Sequence, residues 1–244
     1  MRAKAIGAQT KLELAMTLRR GESLLVTLAI PIGILVFFGK VNPVTAVSGD
    51  PIEFLVPGVL SLAVMASAMV SLGIATGFER RYGVLKRLGS TPLSRGGLLA
   101  AKTLNVITIE VLQVAVIVGT GVALGWHSDA TLLLGAVGLL VLGTIAFAGI
   151  GMLMAGTLRA EANLALANAL FLVFMFLGGM AYPLSKLPTA VESIARLLPG
   201  AALSECVRSV LRETPFPTGA FVVLLVWAMI APLAAIRWFR WEES

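Results

Sequence analysis

The stretch ATLLLGAVGLLVLGTIAFAGIGMLMAGTL, Ala130 to Leu158, runs 29 residues without a charge. A helix rises 1.5 Å per residue, so about 20 apolar residues cross a hydrocarbon core of ~30 Å. Outward from this run the pattern repeats. Phe54–Phe78 gives 25 uncharged residues, Ala162–Ser185 gives 24, Thr214–Ile236 gives 23 and Ser23–Gly39 gives 17. Thr103–Trp126 is apolar apart from Glu110. None of these runs alternates polar and apolar residues as the strands of a membrane barrel do, and helices are the remaining way to satisfy the backbone in lipid. The reading is an all-α membrane protein with six transmembrane helices, at 23–39, 54–78, 100–126, 130–158, 162–183 and 217–238, in one domain spanning 1–244.

Composition agrees. The chain is 58% hydrophobic and 13% charged, with a mean hydropathy of +0.94, against roughly 25% charged residues in soluble domains. Its formal net charge of +6 does not indicate nucleic acid, because the cations are sorted by side. With a cytoplasmic N-terminus, fourteen Lys and Arg fall inside, among them Arg2, Lys4, Lys11, Arg80, Arg81, Lys86, Arg87 and Lys102. Five fall outside: Lys40, Lys186, Arg196, Arg208 and Arg212. That asymmetry follows the positive-inside rule and puts both termini in the cytoplasm, in the inner or plasma membrane. Trp238 and Trp241, beside Arg237 and Arg240, form an interfacial anchor. Residues 1–22, with Ala5, Ala8, Leu12, Ala15 and Met16 on one face, read as an interfacial helix.

Catalytic chemistry is poorly supplied. His127 is the single histidine, in a turn, and Cys206 is the single cysteine. Neither a metal cluster nor a serine–base pair can be assembled from them. No Gly-rich loop ending in Gly-Lys-Ser/Thr is present, so nucleotide binding of the P-loop kind is not expected. The expectation is a non-enzymatic chain that binds no cofactor itself. Glu110 is the one carboxylate inside an apolar run, with Asn105 and Gln113 nearby. An ionisable group at membrane depth faces a bundle interior or a cavity. Here it either contacts a translocated substrate or proton, or it is a protonated or hydrogen-bonded carboxyl that joins helices.

Two polar segments carry the rest. Residues 79–97 connect the second and third helices. In them Val84, Leu85 and Leu88 share one face of a short helix, ringed by Arg80, Arg81, Lys86 and Arg87 and ended by Gly89 and Pro92. That apolar face has no evident partner in the chain outside the membrane. It either lies on anionic lipid or docks a cytoplasmic protein. Residues 184–213 carry two stripes at helical spacing, Leu184, Leu187, Val191, Ile194 and Leu198, then Leu203, Val207 and Val210. Their interspersed charges suit a pair of amphipathic helices, either on the outer leaflet or dipping into the bundle. They would form an external lid or only a lipid anchor.

Glu79, Gly83, Leu85, Leu88, Thr91-Pro92-Leu93 and Lys102 resemble the pattern of ATP-binding cassette type-2 permeases. So do Gly178-Gly179-Met180-Ala181-Tyr182-Pro183 with Leu187-Pro188, followed by Leu198-Pro199-Gly200, Glu205 and Arg208. Drug exporters of the daunorubicin type and lipid and polysaccharide exporters fit equally well. The resemblance implies the membrane half of an ATP-driven exporter of hydrophobic or amphipathic cargo. Two copies of a separate ATPase subunit would supply ATP and Mg, and a second permease, identical or homologous, would complete the path. It implies a cytoplasmic coupling helix that docks the ATPase through Glu79, Arg81, Gly83, Val84, Leu85, Leu88 and Pro92. It also implies an external helical hairpin between helices 5 and 6, gating through Pro183, Leu187, Pro188, Pro199, Glu205 and Arg208. Asn105, Glu110 and Gln113 would be the polar positions of the path. The alternatives are a proton-coupled secondary carrier working through Glu110, and a structural membrane subunit that transports nothing.

Overall fold

The computed structural model describes residues 2–19, 29, 31–38, 51–91, 93–180 and 183–242. It is helical, with no strand among the described residues. The helices are α1 (Arg2–Arg19), α2 (31–38), α3 (Pro51–Met65), α4 (Leu72–Arg81), α5 (Val84–Gly89), α6 (Arg95–Ala123), α7 (Ala130–Thr157), α8 (Ala160–Leu177), α9 (Thr189–Ala195), α10 (Pro199–Leu211) and α11 (Thr218–Trp238).

Five helices among the described residues are long and apolar enough to cross a membrane: Pro51–Arg81, α6, α7, α8 and α11. Four of these overlap the runs at 100–126, 130–158, 162–183 and 217–238, with α8 ending at Leu177, and the fifth extends the run at 54–78 by three residues at each end. The expected span at 23–39 is described only at 29 and 31–38, which are helical. Its remainder lies outside the described residues, as do Pro92 and the Ala181-Tyr182 pair.

The Pro51–Arg81 helix is the axis of the bundle: 83% of its apolar window is buried, against 22% for α8 and α11. Pro51 opens it at a first-turn position, where a missing N–H is harmless. Between α3 and α4 the wider π-helical turn Ala66–Ser71 interrupts the regular ladder. Such single-turn interruptions mark places where a helix accommodates an inserted contact, and here Ser67 reaches Gln113 of α6.

Glycines let α7 cross its neighbours at backbone distance. A Cβ on Gly149 would stand 2.5 Å from the Pro232 nitrogen in α11, and one on Gly151 would stand 2.7 Å from the Met69 carbonyl in the π turn. Pro232 has no N–H to give α11, so the ladder is already open where Gly149 presses against it. Small residues used this way replace the hydrophobic driving force that helices lack in lipid. The outward faces of α6, α8 and α11 keep large apolar side chains exposed, including Val111, Phe176, Met229 and Leu233. Burying them in hydrocarbon is favourable, as it is for any spanning helix.

Candidate functional site

The axial helix is 31 residues long, about 45 Å at helical rise. Residues singled out by the sequence gather at its α5 end, at its middle and at its opposite end.

At the α5 end, Lys102 is 1% exposed. Its Nζ lies 2.8 Å from Glu13 of α1 and 2.8 Å from Glu79 of α4. Gln9 donates to Glu13 at 2.9 Å, and Asn105 of α6 donates to Thr17 of α1 at 3.2 Å. Three helices are thus tied through one ammonium. The polar face of α1, Gln9 and Glu13, turns inward, while Leu12 and Met16 stay exposed. Of the apolar stripe of α1, Leu12 and Met16 thus face outward, while Ala5 is half-buried against the core. Arg80 is also buried and donates to the Leu158 carbonyl at the end of α7.

Gly83, with φ of 72°, makes the left-handed turn from α4 into α5. Leu85 is fully buried and belongs to the same core cluster as Leu93, Leu98 and Phe239. The expectation that its face has nothing to pack on is corrected by the returning C-terminus. Trp241 lies where a Cβ on Gly89 would meet it at 3.1 Å, Glu242 pairs with Lys86 at 3.2 Å, and the Arg240 N–H donates to Gly156. Leu88 is half-buried. The outward surface of the segment consists of Tyr82, 73% exposed, and Val84, 45% exposed, with Arg81, Lys86 and Arg87 around them. Glu79 faces Lys102 instead, and Arg81 pairs with Glu161 of α8.

At mid-helix, Ser67 donates to Gln113 at 2.9 Å, and Thr144 of α7 donates to Glu110 at 2.5 Å. Glu110 is 6% exposed and Gln113 is 1% exposed. Glu110 Oε1 and Gln113 Nε2 have no hydrogen-bond partner among the described residues. Asn105 is not part of this layer.

At the opposite end, residues 184–213 form a 3-10 turn (Leu184–Lys186), then α9 and α10. Pro199 opens α10. Leu203, Cys206 and Val207 of α10 are fully buried, and the Leu203 side chain fills the space beside Gly143 of α7. Burial pushes the Cys206 thiol up to about 12, so it packs as an inert apolar group. The last turn of α10 and residues 183–186 border a cavity of about 830 Å³ that also receives Glu205 and Arg208. Arg208 donates to the Gly179 carbonyl at 2.7 Å and sits 4.0 Å over the Phe54 ring. Burial, with Arg212 alongside, lowers its pKa to about 10, and it remains a cation at neutral pH. Of the proposed gate residues, Pro183, Glu205 and Arg208 meet at this cavity. Leu187 packs beside Leu184 and Ala201 in a separate small cluster, and Pro188 precedes α9.

Sequence reading missed Glu13, Ser67, Thr144 and Phe54. The signal for Glu13 was available: it is a carboxylate one turn from Gln9, on the side of α1 away from the apolar stripe. In the sequence Lys102 stands only among the inside cations and in the family resemblance, with nothing to mark its two carboxylate partners.

Comparison with known proteins places this architecture. A family model described as "ABC-2 type transporter" matches residues 4–211. The chain is also similar to the Bacillus subtilis (strain 168) protein described as "Putative transport permease YvfS". The two are 26% identical over 252 aligned positions, which cover 97% of each.

Proposed function

Because the chain belongs to the ABC-2 type transporter family, we propose that this multi-pass transport permease is the membrane half of an ATP-driven exporter, docked by a separate ATPase subunit on the Tyr82–Arg87 surface. The observation that carries the reading is the pairing of that exposed surface with the buried Lys102 cluster. A force on α5 enters α4 through the Gly83 turn and meets α1 and α6 at a single ammonium. Nucleotide binding by the ATPase would favour one bundle arrangement through its own contacts, since a ligand shifts an equilibrium only by its differential affinity. The α5 end and both termini are then cytoplasmic, which agrees with the distribution of basic residues. The hairpin end is external. Two ATPase copies and a second permease complete the assembly, and the cargo is hydrophobic or amphipathic, as the apolar helix faces suit.

The test is affinity purification of the tagged permease with its membrane-associated partners. The wild-type chain should bring down an ATPase. Tyr82→Asp and Val84→Asp, which alter exposed side chains only, should be recovered at wild-type yield with the ATPase reduced at least tenfold. Undiminished copurification by both variants rejects the docking surface.

A proton-coupled carrier is the second reading, favoured by one observation: the buried Glu110 oxygen that has no partner among the described residues. Substrate movement in vesicles of the permease alone, driven by a pH gradient without ATP, would establish it.

A further inference from the structure

The cavity at the hairpin end holds an unbalanced set of charges. Lys186, Arg196, Arg208 and Arg212 border it, with Glu205 as the one carboxylate among the described lining residues. Two of the cations are answered from beside the cavity: Arg196 by Glu192 at 2.7 Å and Arg212 by Glu53 at 3.6 Å. No ion pair among the described residues includes Lys186 or Arg208. Arg208 is held by the Gly179 carbonyl and the Phe54 ring, yet its Nε is buried with no acceptor among the described residues. A guanidinium fixed from behind, with a donor left over, is prepared for an oxyanion, whose geometry its planar fork matches.

The cavity is larger than a free oxyanion needs. At about 830 Å³ it falls among pockets that take a whole organic ligand. Phe54 and Leu184 add apolar wall to it. Nearby on the hairpin, Ile194 and Leu197 are exposed at 64% and 63%, an apolar surface suited to acyl chains.

We propose that this cavity binds the phosphate head group of an amphiphile, with Arg208 and Lys186 holding the phosphate and the apolar tail lying along the hairpin. Two cations outside ion pairs suit a phosphate, which can carry two charges, better than a single carboxylate. The proposal deepens the reading of an amphipathic cargo by naming its head group.

The test uses the purified full-length permease in a neutral maltoside detergent, with binding measured for dihexanoyl phosphatidate, dihexanoyl phosphatidylcholine and inorganic phosphate. Phosphatidate should bind at least tenfold more tightly than phosphatidylcholine, whose choline offsets the phosphate, and more tightly than inorganic phosphate. Lys186→Gln, an exposed change, should weaken phosphatidate about threefold. Arg208→Gln should weaken it at least tenfold, with Arg208→Lys in between. Equal affinity for inorganic phosphate and phosphatidate overturns the amphiphile and makes the site one for a free oxyanion. Equal affinity for the two lipids, or unchanged binding in Lys186→Gln, overturns the site itself, and the second criterion holds even if Arg208→Gln does not fold. Failure to copurify an ATPase leaves these affinities unchanged, so the two readings fail separately.

Discussion

The two ends of the axial helix each meet a buried or half-buried cation, and they neutralise it in opposite ways. At one end Lys102 sits between two carboxylates, each at 2.8 Å. At the other, Arg208 has a carbonyl, an aromatic face and, among the described residues, a donor left over. An ammonium between two carboxylates has no use for a ligand. Its chemistry is complete inside the chain, and its effect is to fix α1, α4 and α6 to one another. A guanidinium held by neutral groups keeps its charge available. The same helix therefore joins a closed clamp to an open cationic cavity.

The comparison breaks most directly at Lys102. Lys102→Met leaves the buried Glu13 and the half-buried Glu79 without their shared cation, and removing one partner of a buried ion pair destabilises by about 3–5 kcal/mol. The expected result is a large drop in thermal stability of the purified protein and loss of the α1 contact. Combining it with Glu13→Gln and Glu79→Gln should recover much of that loss, because the uncompensated charges are gone. A single Lys102→Met protein that melts with wild type would show that the clamp holds nothing.

The second test concerns which side of α5 is structural. Leu85 is fully buried and Val84 is 45% exposed. Leu85→Ala should destabilise by about 2–5 kcal/mol, the range for deleting a buried leucine side chain. Val84→Ala should stay within about 0.5 kcal/mol, as surface changes do. Equal effects from the two would mean that α5 does not rest on the chain as described.

Much of this organisation was legible in the sequence, and what was lost follows one rule. Spans were readable because length and the absence of charge are local properties: Ala130–Leu158 was bounded to within a residue of α7. Partners were not, because they are tertiary. Leu85 looked free because nothing local shows that Phe239 and Trp241 return to the segment. Glu13 could be placed opposite the apolar stripe of α1, but that this polar face turns inward onto Lys102 is tertiary. The π turn has no sequence mark at all: it becomes intelligible only once Ser67 is seen to reach Gln113. At the hairpin end, Pro183, Glu205 and Arg208 were named from resemblance and do meet at one cavity, while Phe54, and the Glu53 that answers Arg212, come from α3 at the other end of the sequence.

Between the two ends, Glu110 is either a joint between helices or a working group of the path. Thr144 already donates to it at 2.5 Å, and an amide oxygen accepts that bond as well as a carboxyl oxygen does. Glu110→Gln should therefore leave abundance unchanged and ATP-dependent transport within about threefold of wild type. Normal folding with a transport loss above tenfold, about 1.4 kcal/mol of barrier, would make the carboxyl a working group of the path rather than one that joins helices.

The smallest effect is expected at the rim of the closed end. Lys86 and Glu242 are 65% and 61% exposed and 3.2 Å apart. Water screens such a pair, and holding two long side chains in one geometry offsets most of what attraction remains, so exposed pairs contribute about 0–1 kcal/mol. Lys86→Ala should melt with wild type, because Leu85 and the Trp241 contact still hold α5 in place. Any effect should appear as a modest, salt-dependent change in ATPase association, since rim charges act mainly on encounter rate. A Lys86→Ala protein as unstable as Leu85→Ala would move the anchor of α5 from its buried leucine to its surface charge, and the closed end would then be held by a contact that salt can loosen.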